Sequence, residues 1–250
     1  MNAEKISAMR EGGRILGELL ADLKEYVKPG MSEKEIDAWV RQEIVKRGAG
    51  VAYDMLDDGF GGAICISTND ELVHGVPSDY ILEKGDKVSF ELDIFYKGYF
   101  TDSAFTMIVG GEKAGSAAVR KMLSVTESSM WEGIKQVRAG VHLGDVGCAV
   151  EKVLRAGKLG VIENYIGHGI GKTMHEKPDV PNYGKKGQGY ILQAGDTICI
   201  EPMSSLGKAK NHISEEDGWT VILNDGSIGC HFEHTILVLE DGYEVLTLPE

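Results

Sequence analysis

Apolar residues recur at helical spacing in two matching pairs of segments along the chain. The first helix of the first pair spans Ser7 to Val27, and a Pro-Gly stop signal follows it. The second helix begins at Ser32 with the capping-box pattern Ser-x-x-Glu and runs through Arg47. The second pair is Ala117 to Val137 and Leu143 to Ala156. Each half of the chain is therefore predicted to begin with two helices.

Stretches rich in β-branched and aromatic residues follow each helix pair and predict strands. These stretches are Lys87 to Tyr96, Tyr99 to Val109, Thr197 to Pro202, Trp219 to Leu223 and Cys230 to Leu239. Lys97-Gly98 predicts a hairpin turn between the first two strands, and Asn224-Asp225-Gly226 predicts a turn between the last two. The segment from Glu176 to Gly189 is rich in Pro, Gly, Lys and Asn, which predicts a surface loop.

One stretch of sequence occurs twice. Residues Tyr80 to Glu91 read YILEKGDKVSFE, and residues Tyr190 to Glu201 read YILQAGDTICIE. The two copies are 110 positions apart, as are Gly30 and Gly140. The repeat predicts a single domain over residues 1–250 with two related halves, roughly 1–110 and 111–250. If the halves face each other, the glutamates that end the two copies converge. Buried carboxylates that converge need a counter-charge, and a metal ion is the usual one.

Composition and charge narrow the class of protein. Hydrophobic residues make up 42% of the chain, which suits a packed core and excludes disorder. The net charge of −13 argues against a nucleic-acid surface, because phosphate binding needs clustered Lys and Arg. No apolar run is long enough to cross a bilayer, and the N-terminus has no signal-peptide core.

The four cysteines are unpaired in sequence and lie in apolar surroundings. They are Cys65, Cys148, Cys199 and Cys230. The spacing Cys-x-x-Cys does not occur, so we expect reduced, mostly buried thiols, which favour a cytoplasmic protein.

Ionisable residues are unusually frequent in the predicted strands. They are Glu91, Asp93, Asp102, His168, His175, Glu201, Glu233 and His234, with His74 in a loop between strands. Strands beside a core rarely carry so many charges unless the charges are paired or bind metal. Solvated strand edges are the alternative, but few Lys or Arg lie near enough in sequence to serve as partners. Carboxylates with one or two imidazoles suit Mn, Fe, Co or Zn, and a mainly carboxylate site can hold two ions.

Several sequence motifs occur in an order that is typical of one family. They are STNDELVHGVP at 67–77, GYFTD at 98–102, GHGIG at 167–171 followed by MHE at 174–176, IEPM at 200–203, DGWT at 217–220 and FEHT at 232–235. Over nearly its whole length the chain resembles the type I methionine aminopeptidases. The resemblance implies their pita-bread fold, an α+β architecture in which a curved antiparallel sheet of two pseudo-twofold-related halves is covered by helices.

The resemblance implies five ligands for two divalent metal ions. Asp102 and Glu233 match carboxylates that bridge both ions, and His168 and Glu201 match ligands of one ion. The family chelates the other ion with an aspartate, and the ungapped alignment places Glu91 there. The chain thus departs from the family by one methylene group at this ligand.

Asp93 is a second departure, because the family usually has a small residue at this position. Positions 91 and 93 of a strand point to the same face, so Asp93 either shares the ligand role of Glu91, takes it over, or lies behind the ligands without binding metal. We expect the second metal site to bind its ion with an altered affinity.

The resemblance also implies the chemistry. Metal-activated water attacks the first peptide bond, and Glu201 acts as a general base while it binds metal. His74 and His175 match histidines that contact the substrate and stabilise the developing charge.

The substrate pocket rests on the same alignment. Four residues fall where the family holds an unbranched thioether side chain, namely Phe60, Cys65, Met174 and Trp219. The segment from Val51 to Gly62, with Asp54, Asp57 and Asp58, departs from the aromatic-rich family pattern.

The expected function is a cytoplasmic two-metal aminopeptidase that removes the initiator methionine from nascent polypeptides. We expect a monomer that works near the ribosome without binding nucleic acid or membrane. One alternative is a hydrolase of the same fold with another specificity, such as an Xaa-Pro aminopeptidase, against which the short chain without an added N-terminal domain argues. The other alternative is a binding protein of this fold with weakened catalysis. Four of the five ligands match and the fifth is still a carboxylate, which argues against the loss of catalysis.

Overall fold

The computed structural model describes residues 2–56 and 59–249. Its helices are α1 (Ala3–Tyr26), α2 (Glu33–Lys46), α3 (Tyr53–Leu56), α4 (Ala117–Ile134) and α5 (Leu143–Ala156), with a short 3-10 turn at Glu112–Ala114. The first helix begins four residues earlier than predicted because the Asn2 side chain accepts the backbone N–H groups of Glu4 and Lys5. The predicted capping box at Ser32 is present and opens α2.

The strands alternate with these helices along the chain. They are β1 (Gly50–Val51), β2 (Cys65–Thr68), β3 (Glu71–Val73), β4 (Lys87–Tyr96), β5 (Tyr99–Ile108), β6 (Gly160–Val161), β7 (Gly167–Gly169), β8 (Glu176–Val180), β9 (Thr197–Ile200), β10 (Met203–Ser205), β11 (Asn211–Ile213), β12 (Val221–Leu223), β13 (Gly229–His231), β14 (Glu233–Val238) and β15 (Tyr243–Val245). The central sheet has the order β1-β4-β5-β14-β9-β7-β8, with β2 beside β4 and β15 beside β14. Its strand pairs are antiparallel. Two small sheets, β13-β10-β6 and β11-β12-β3, lie beside it.

The helices cover one face of the central sheet. Along β4, Phe90, Leu92 and Ile94 are fully buried in a core that α1 and α2 share. In the other half, α4 and α5 pack a matching core against Ile198 and Ile236. Because successive residues of a strand point to opposite faces, the alternate positions of β4, β5, β9 and β14 face away from the helices. The carboxylates Glu91, Asp93, Asp102 and Glu233 lie on this second face, whereas His234 faces the helices.

The two halves of the chain repeat the same local structure. Helices α2 and α5 keep the offset of 110 residues, and so do the short strands β1 and β6. Isolated bridges join Ser32 to Ile81 and His142 to Ile191, again 110 residues apart. The halves meet where β5 pairs with β14, with Glu233 opposite Ala104. A residue at the centre of the sheet therefore has neighbours from both halves.

Three sequence predictions are wrong in part. The predicted loop from Glu176 to Gly189 begins with strand β8, which pairs with β7 at the edge of the sheet. Its Pro178 and Val180 are buried while the residues between and before them are exposed, and an edge strand tolerates a proline because it lacks one row of partners.

The predicted strand from Cys230 to Leu239 is two strands, since the chain changes partners at Phe232. Before Phe232, β13 pairs with β10, and after it β14 pairs with β5 and β9. The strand predicted at Trp219 begins only at Val221, because the Asp217 carboxylate accepts the backbone N–H groups of Trp219 and Thr220.

Two further observations bear on the environment of the chain. Cys65, Cys199 and Cys230 are buried free thiols, and Cys148 is half-buried, as predicted. Along the ranges 2–56 and 59–249, no helix combines the length and the apolarity needed to cross a membrane.

Asp57 and Asp58, which belong to the segment that departs from the family pattern, lie outside the described residues.

Candidate metal centre and substrate cavity

The strand register brings three carboxylate-bearing strands together. Asp93 on β4 lies directly opposite Asp102 on β5. Ala104, two residues further along β5, lies opposite both Glu91 on β4 and Glu233 on β14. The small Ala104 side chain between two glutamates leaves space above this part of the sheet. Four carboxylates from three adjacent strands thus face one volume.

Thr235 fixes the backbone of Asp102. Its hydroxyl accepts the Asp102 N–H at 3.0 Å and donates to the Asp102 carbonyl oxygen at 2.7 Å. This buried pair of hydrogen bonds ties β5 to β14 beside the carboxylates. The motif FEHT therefore places both Glu233 in the cluster and Thr235 as its support.

The second half of the chain supplies His168 and Glu201. His168 on β7 has its Nε2 3.4 Å from a carboxylate oxygen of Glu201 and 3.7 Å from one of Asp102. Its Nδ1 lies 2.9 Å from the Gly169 carbonyl oxygen, so Nδ1 carries the proton and the Nε2 lone pair faces the carboxylates. Asn182, itself buried, donates to the Glu201 carbonyl oxygen at 3.0 Å and holds the chain just after β9.

Glu91 and Asp93 each accept a hydrogen bond from the first half of the chain. The backbone N–H of His74 donates to the Glu91 carboxylate. The Tyr53 hydroxyl donates to Asp93 Oδ2 at 3.1 Å and also lies 3.0 Å from Cys65 Sγ. The structure therefore places both residues that depart from the family pattern in the cluster.

Burial dominates the electrostatics of the cluster. It raises the pKa of Glu91, Asp93, Glu201 and Glu233 well above the ordinary range of carboxyl groups, and the neighbouring negative charges raise these pKa values further. Burial also raises the pKa of Asp102, to about 6. The cost of this burial has to be offset by protons or by cations.

The unpartnered atoms of the cluster fit divalent cations. Among the described residues, most of the buried side-chain oxygen and nitrogen atoms without a hydrogen bond belong to this cluster. They are Glu91 Oε2, Asp93 Oδ1, Asp102 Oδ1, Glu233 Oε1 and both ring nitrogens of His231. Two sets of donor atoms lie close enough together to share one ion, namely Asp102, His168, Cys199 and Glu233, and Glu91, Asp93 and Asp102. Carboxylate oxygens with imidazole nitrogens suit Mn, Fe, Co and Zn.

An apolar cavity of about 240 Å³ opens beside the cluster. Its walls include every residue predicted for the substrate pocket, namely Phe60, Cys65, His74, Met174, His175 and Trp219, and Glu91 reaches it from the metal cluster. The Phe60 ring packs edge-on against Trp219 with a centroid distance of 5.5 Å. The volume is below the roughly 300–1,000 Å³ of pockets for drug-sized ligands, so the cavity suits a single side chain.

The two predicted substrate histidines lie on different parts of this cavity. His175 is exposed, and its ring packs edge-on against the buried His168 with a centroid distance of 4.4 Å. His74 is half-buried and adopts a positive φ of 58°. The next residue has to be a glycine, because a Cβ on Gly75 would lie 2.1 Å from the Ile66 carbonyl oxygen. Burial lowers the pKa of His74 to about 4, so its ring is neutral at physiological pH.

The sequence analysis missed three residues at the site. Tyr53 and Leu56 line the cavity from the short helix α3, and His231 lies among the carboxylates. A signal for His231 was present, since it precedes Glu233 by two positions and alternation along a strand places such residues on one face. No pattern in the sequence marked Tyr53, whose contact with Asp93 joins segments 40 residues apart.

The site combines a buried cluster of carboxylates and imidazoles with a cavity for one side chain, between the two repeated halves of the sheet. These features are those of a metal-dependent hydrolase. The family model described as metallopeptidase family M24 matches residues 7–240, and the chain belongs to this family. The predictions of a metal-dependent peptidase and of divalent metal cofactors are thereby confirmed.

Similar proteins extend over the whole chain. A methionine aminopeptidase of Clostridium perfringens is 38% identical over 247 residues, which cover 99% of this chain and 97% of the relative. Methionine aminopeptidase 1 of Bacillus subtilis is 37% identical over 97% of this chain and 96% of the relative. The crystal structure of methionine aminopeptidase from Rickettsia prowazekii superimposes with a TM-score of 0.93 at 33% identity and covers 99% of this chain and 98% of that one. The predicted resemblance and the predicted fold class are confirmed.

The fold extends to peptidases of other specificity. A prolidase from Pyrococcus furiosus matches this whole chain with a TM-score of 0.76 at 21% identity, and 65% of that chain is covered. This likeness shows the shared fold.

Proposed function

We propose that the protein is a methionine aminopeptidase, which hydrolyses the first peptide bond of polypeptides that begin with methionine. The observation that carries the proposal is the cavity of about 240 Å³ that joins the carboxylate cluster. A cavity of this size at a hydrolytic centre admits one side chain next to the bond that is cleaved. The relatives that match nearly the whole chain bear this name.

Two divalent ions are the proposed cofactors. Glu91, Asp102, His168, Glu201 and Glu233 are the proposed ligands, and the unpartnered buried oxygens of three of them support this assignment. When bound, such ions polarise the substrate carbonyl and activate water near neutral pH. Asp93 contributes a further carboxylate beside Glu91 and Asp102.

The side chains of the protein have distinct proposed roles in the reaction. Glu201 is the proposed general base, since its buried carboxylate lies in the cluster, 3.4 Å from His168 Nε2. His175 at the rim and the neutral His74 are placed to donate hydrogen bonds to the substrate carbonyl oxygen and the scissile nitrogen. Asn182 and Thr235 hold the backbone of Glu201 and Asp102.

The cavity favours an unbranched apolar side chain. Phe60 and Trp219 form an aromatic wall, and Cys65 and Met174, both buried, add sulfur atoms that pack well against a thioether. A β-branched side chain widens at Cβ, where Glu91 and His74 border the cavity. Methionine and its isostere norleucine are the proposed preferred residues.

The proposed cellular setting is the cytoplasm, where the protein acts as a monomer on nascent polypeptides near the ribosome. Free cysteines support a reducing compartment. The net charge of −13 argues against direct binding to ribosomal RNA.

A peptide panel tests the proposal. The protein is stripped with a chelator, reloaded separately with Mn, Fe, Co or Zn, and incubated with Met-Gly-Met, Nle-Gly-Met, Val-Gly-Met and Ala-Pro-Met. We expect release of free methionine and norleucine with at least one metal, slow release of valine, and no cleavage by the chelated protein.

The other outcomes are diagnostic. Cleavage of Ala-Pro-Met but not of Met-Gly-Met would identify an Xaa-Pro aminopeptidase. Absence of cleavage with all four metals would favour a binding protein of this fold and would contradict the proposal.

A further inference from the structure

His231 is a buried imidazole in the middle of the carboxylate cluster. It lies at the end of β13, two residues before Glu233, and is 1% exposed. Its Nδ1 is 3.6 Å from Glu91 Oε2, and its Nε2 is 3.7 Å from Glu201 Oε2. The imidazole therefore lies between the two glutamates that end the two copies of the internal repeat.

Both ring nitrogens of His231 are without a hydrogen-bond partner. This is unusual, because a buried polar atom without a partner destabilises the folded state. The other histidines on these strands satisfy Nδ1, since His168 reaches the Gly169 carbonyl oxygen and His234 reaches the Thr247 hydroxyl at 2.8 Å. His231 thus has donor atoms that nothing in its surroundings uses.

The surroundings of Nε2 are those of a metal ligand. Besides Glu201 Oε2, Glu233 Oε2 lies 3.9 Å from Nε2. Both distances are too long for hydrogen bonds, and each is compatible with an ion between the nitrogen and that carboxylate oxygen. Nδ1 faces Glu91 Oε2, which also lacks a partner. A neutral imidazole has one N–H and one lone pair, so it can serve both sides.

We propose that His231 is a further nitrogen ligand of the metal centre, in which Nε2 binds the ion held by Glu201 and Glu233 while the Nδ1–H group donates to Glu91. The inference rests on the proposed metal site and deepens it. It adds a second imidazole to the ion that His168 binds. It also links that ion to the first-half carboxylate Glu91, which in turn borders the substrate cavity.

A second imidazole changes the metal preference of the site. Nitrogen donors favour Co, Fe and Zn, whereas sites of oxygen donors suit Mn. We therefore expect His231 to increase the affinity for Co(II) more than the affinity for Mn(II). Removal of the imidazole narrows the difference between the two affinities.

Proton NMR of the wild-type chain loaded with Co(II) tests the ligand count. Each imidazole that binds Co(II) through Nε2 keeps an exchangeable Nδ1–H proton, whose resonance shifts far outside the diamagnetic range. We expect two such resonances, from His168 and His231. A single resonance would overturn the inference for His231 while leaving the proposed metal site intact. Absence of Co(II) binding would overturn the metal site itself and the inference with it.

Variants assign the second resonance. H231Q keeps an amide donor of similar reach but loses the nitrogen lone pair, so we expect one resonance and a Co(II) affinity lowered roughly 10–100-fold, with a smaller loss for Mn(II). The matched control is H234Q, because His234 lies on the same strand system but faces the helices, where its ring contacts Trp131. H234Q should keep both resonances and both affinities.

The variant results separate a metal ligand from a purely structural residue. Two resonances and an unchanged ratio of Co(II) to Mn(II) affinity in H231Q would overturn the inference. If H231Q does not fold, the number of shifted Nδ1–H resonances in the wild-type protein decides whether His231 binds the metal: two resonances support the inference and one overturns it.

Discussion

Asp93 and Asp102 face each other as a direct cross-strand pair, and both are buried. Two ionised carboxylates in this arrangement repel each other, so either one of them holds a proton or a cation lies between them. The pKa of Asp93 is raised by burial first and by Asp102 second. At the residue scale, Asp93 thus adds a negative charge beside the proposed site of the second ion.

Substitution of Asp93 measures that contribution. We expect Asp93→Ala to weaken binding of the second ion by roughly 10–100-fold, because a carboxylate beside Glu91 and Asp102 is lost. Calorimetric titration of the metal-free protein gives the two dissociation constants. Tyr53→Phe, which keeps the Asp93 carboxylate and removes the hydroxyl that contacts Asp93 and Cys65, is the matched control and should have a smaller effect. Two equally tight ions in both the wild type and Asp93→Ala would disprove the expectation.

His175 is the residue whose loss should separate catalysis from metal binding. Its exposed ring contacts His168 but borders the substrate cavity. We expect His175→Ala to lower kcat by about 10²–10⁴ with the metal content unchanged, since a proton or hydrogen-bond donor to the reacting group is lost. Steady-state kinetics with Met-Gly-Met and metal analysis of the same sample provide the two readouts. A loss of metal together with activity would instead assign His175 to the metal centre.

At the scale of elements, repeated helices begin with different caps. Ser32 and Glu35 form a reciprocal capping box at the start of α2. Its repeat counterpart His142, at the start of α5, forms no side-chain cap to the helix. Helix α5 depends instead on packing, with Val146, Val150 and Leu154 fully buried. The two helices occupy equivalent places but are stabilised by different interactions.

Alanine substitutions at the two caps test this difference. Ser32→Ala should lower the free energy of unfolding by about 1 kcal/mol, because a backbone N–H of the first turn loses its acceptor. His142→Ala is the matched control at the equivalent position and should change it by less than about 0.5 kcal/mol. Urea denaturation of the metal-free variants compares the two. Equal losses would show that the capping box contributes nothing specific.

The ends of helix α5 and the long hairpin were predictable because their signals are local. Helix α5 has the predicted bounds, and β4 begins and ends where the alternation and the Lys97-Gly98 turn predicted. Strand β8 was missed because only its pairing with β7 makes a strand of a segment that contains a proline. His231 was missed for a different reason. It lies two positions before Glu233 in one predicted strand, but none of the motifs that carry the family resemblance includes it.

At the scale of the whole molecule, the buried carboxylates link stability to pH and to metal. Their folded-state pKa values are raised, so the metal-free folded protein binds more protons than the unfolded chain. Stability from such groups is present at low pH and is lost as the pH rises through the folded-state pKa. The buried imidazoles act in the opposite direction, because their pKa values are lowered, but they are neutral in both states above about pH 6.5.

Thermal unfolding between about pH 6.5 and pH 8 isolates the carboxylates. We expect the melting temperature of the chelated protein to fall across this window, at about 2–4 °C for each kcal/mol lost. The metal-loaded protein should not show this fall, since ionised carboxylates bind cations more tightly and bound ligand stabilises the folded state. The gap between the two melting temperatures should therefore widen with pH. A chelated protein that melts at a constant or rising temperature would contradict this reasoning.

The position of the cluster between the repeated halves has a further consequence for how the chain holds together. Glu91, Asp93 and Asp102 come from the first 110 residues, whereas His168, Glu201, His231 and Glu233 come from the rest. Neither half alone supplies all the proposed ligands of the metal ions. We therefore expect bound ions to hold the two halves together, so that a chain cut at the exposed Gly111 reassembles from its two fragments more readily with metal than without it.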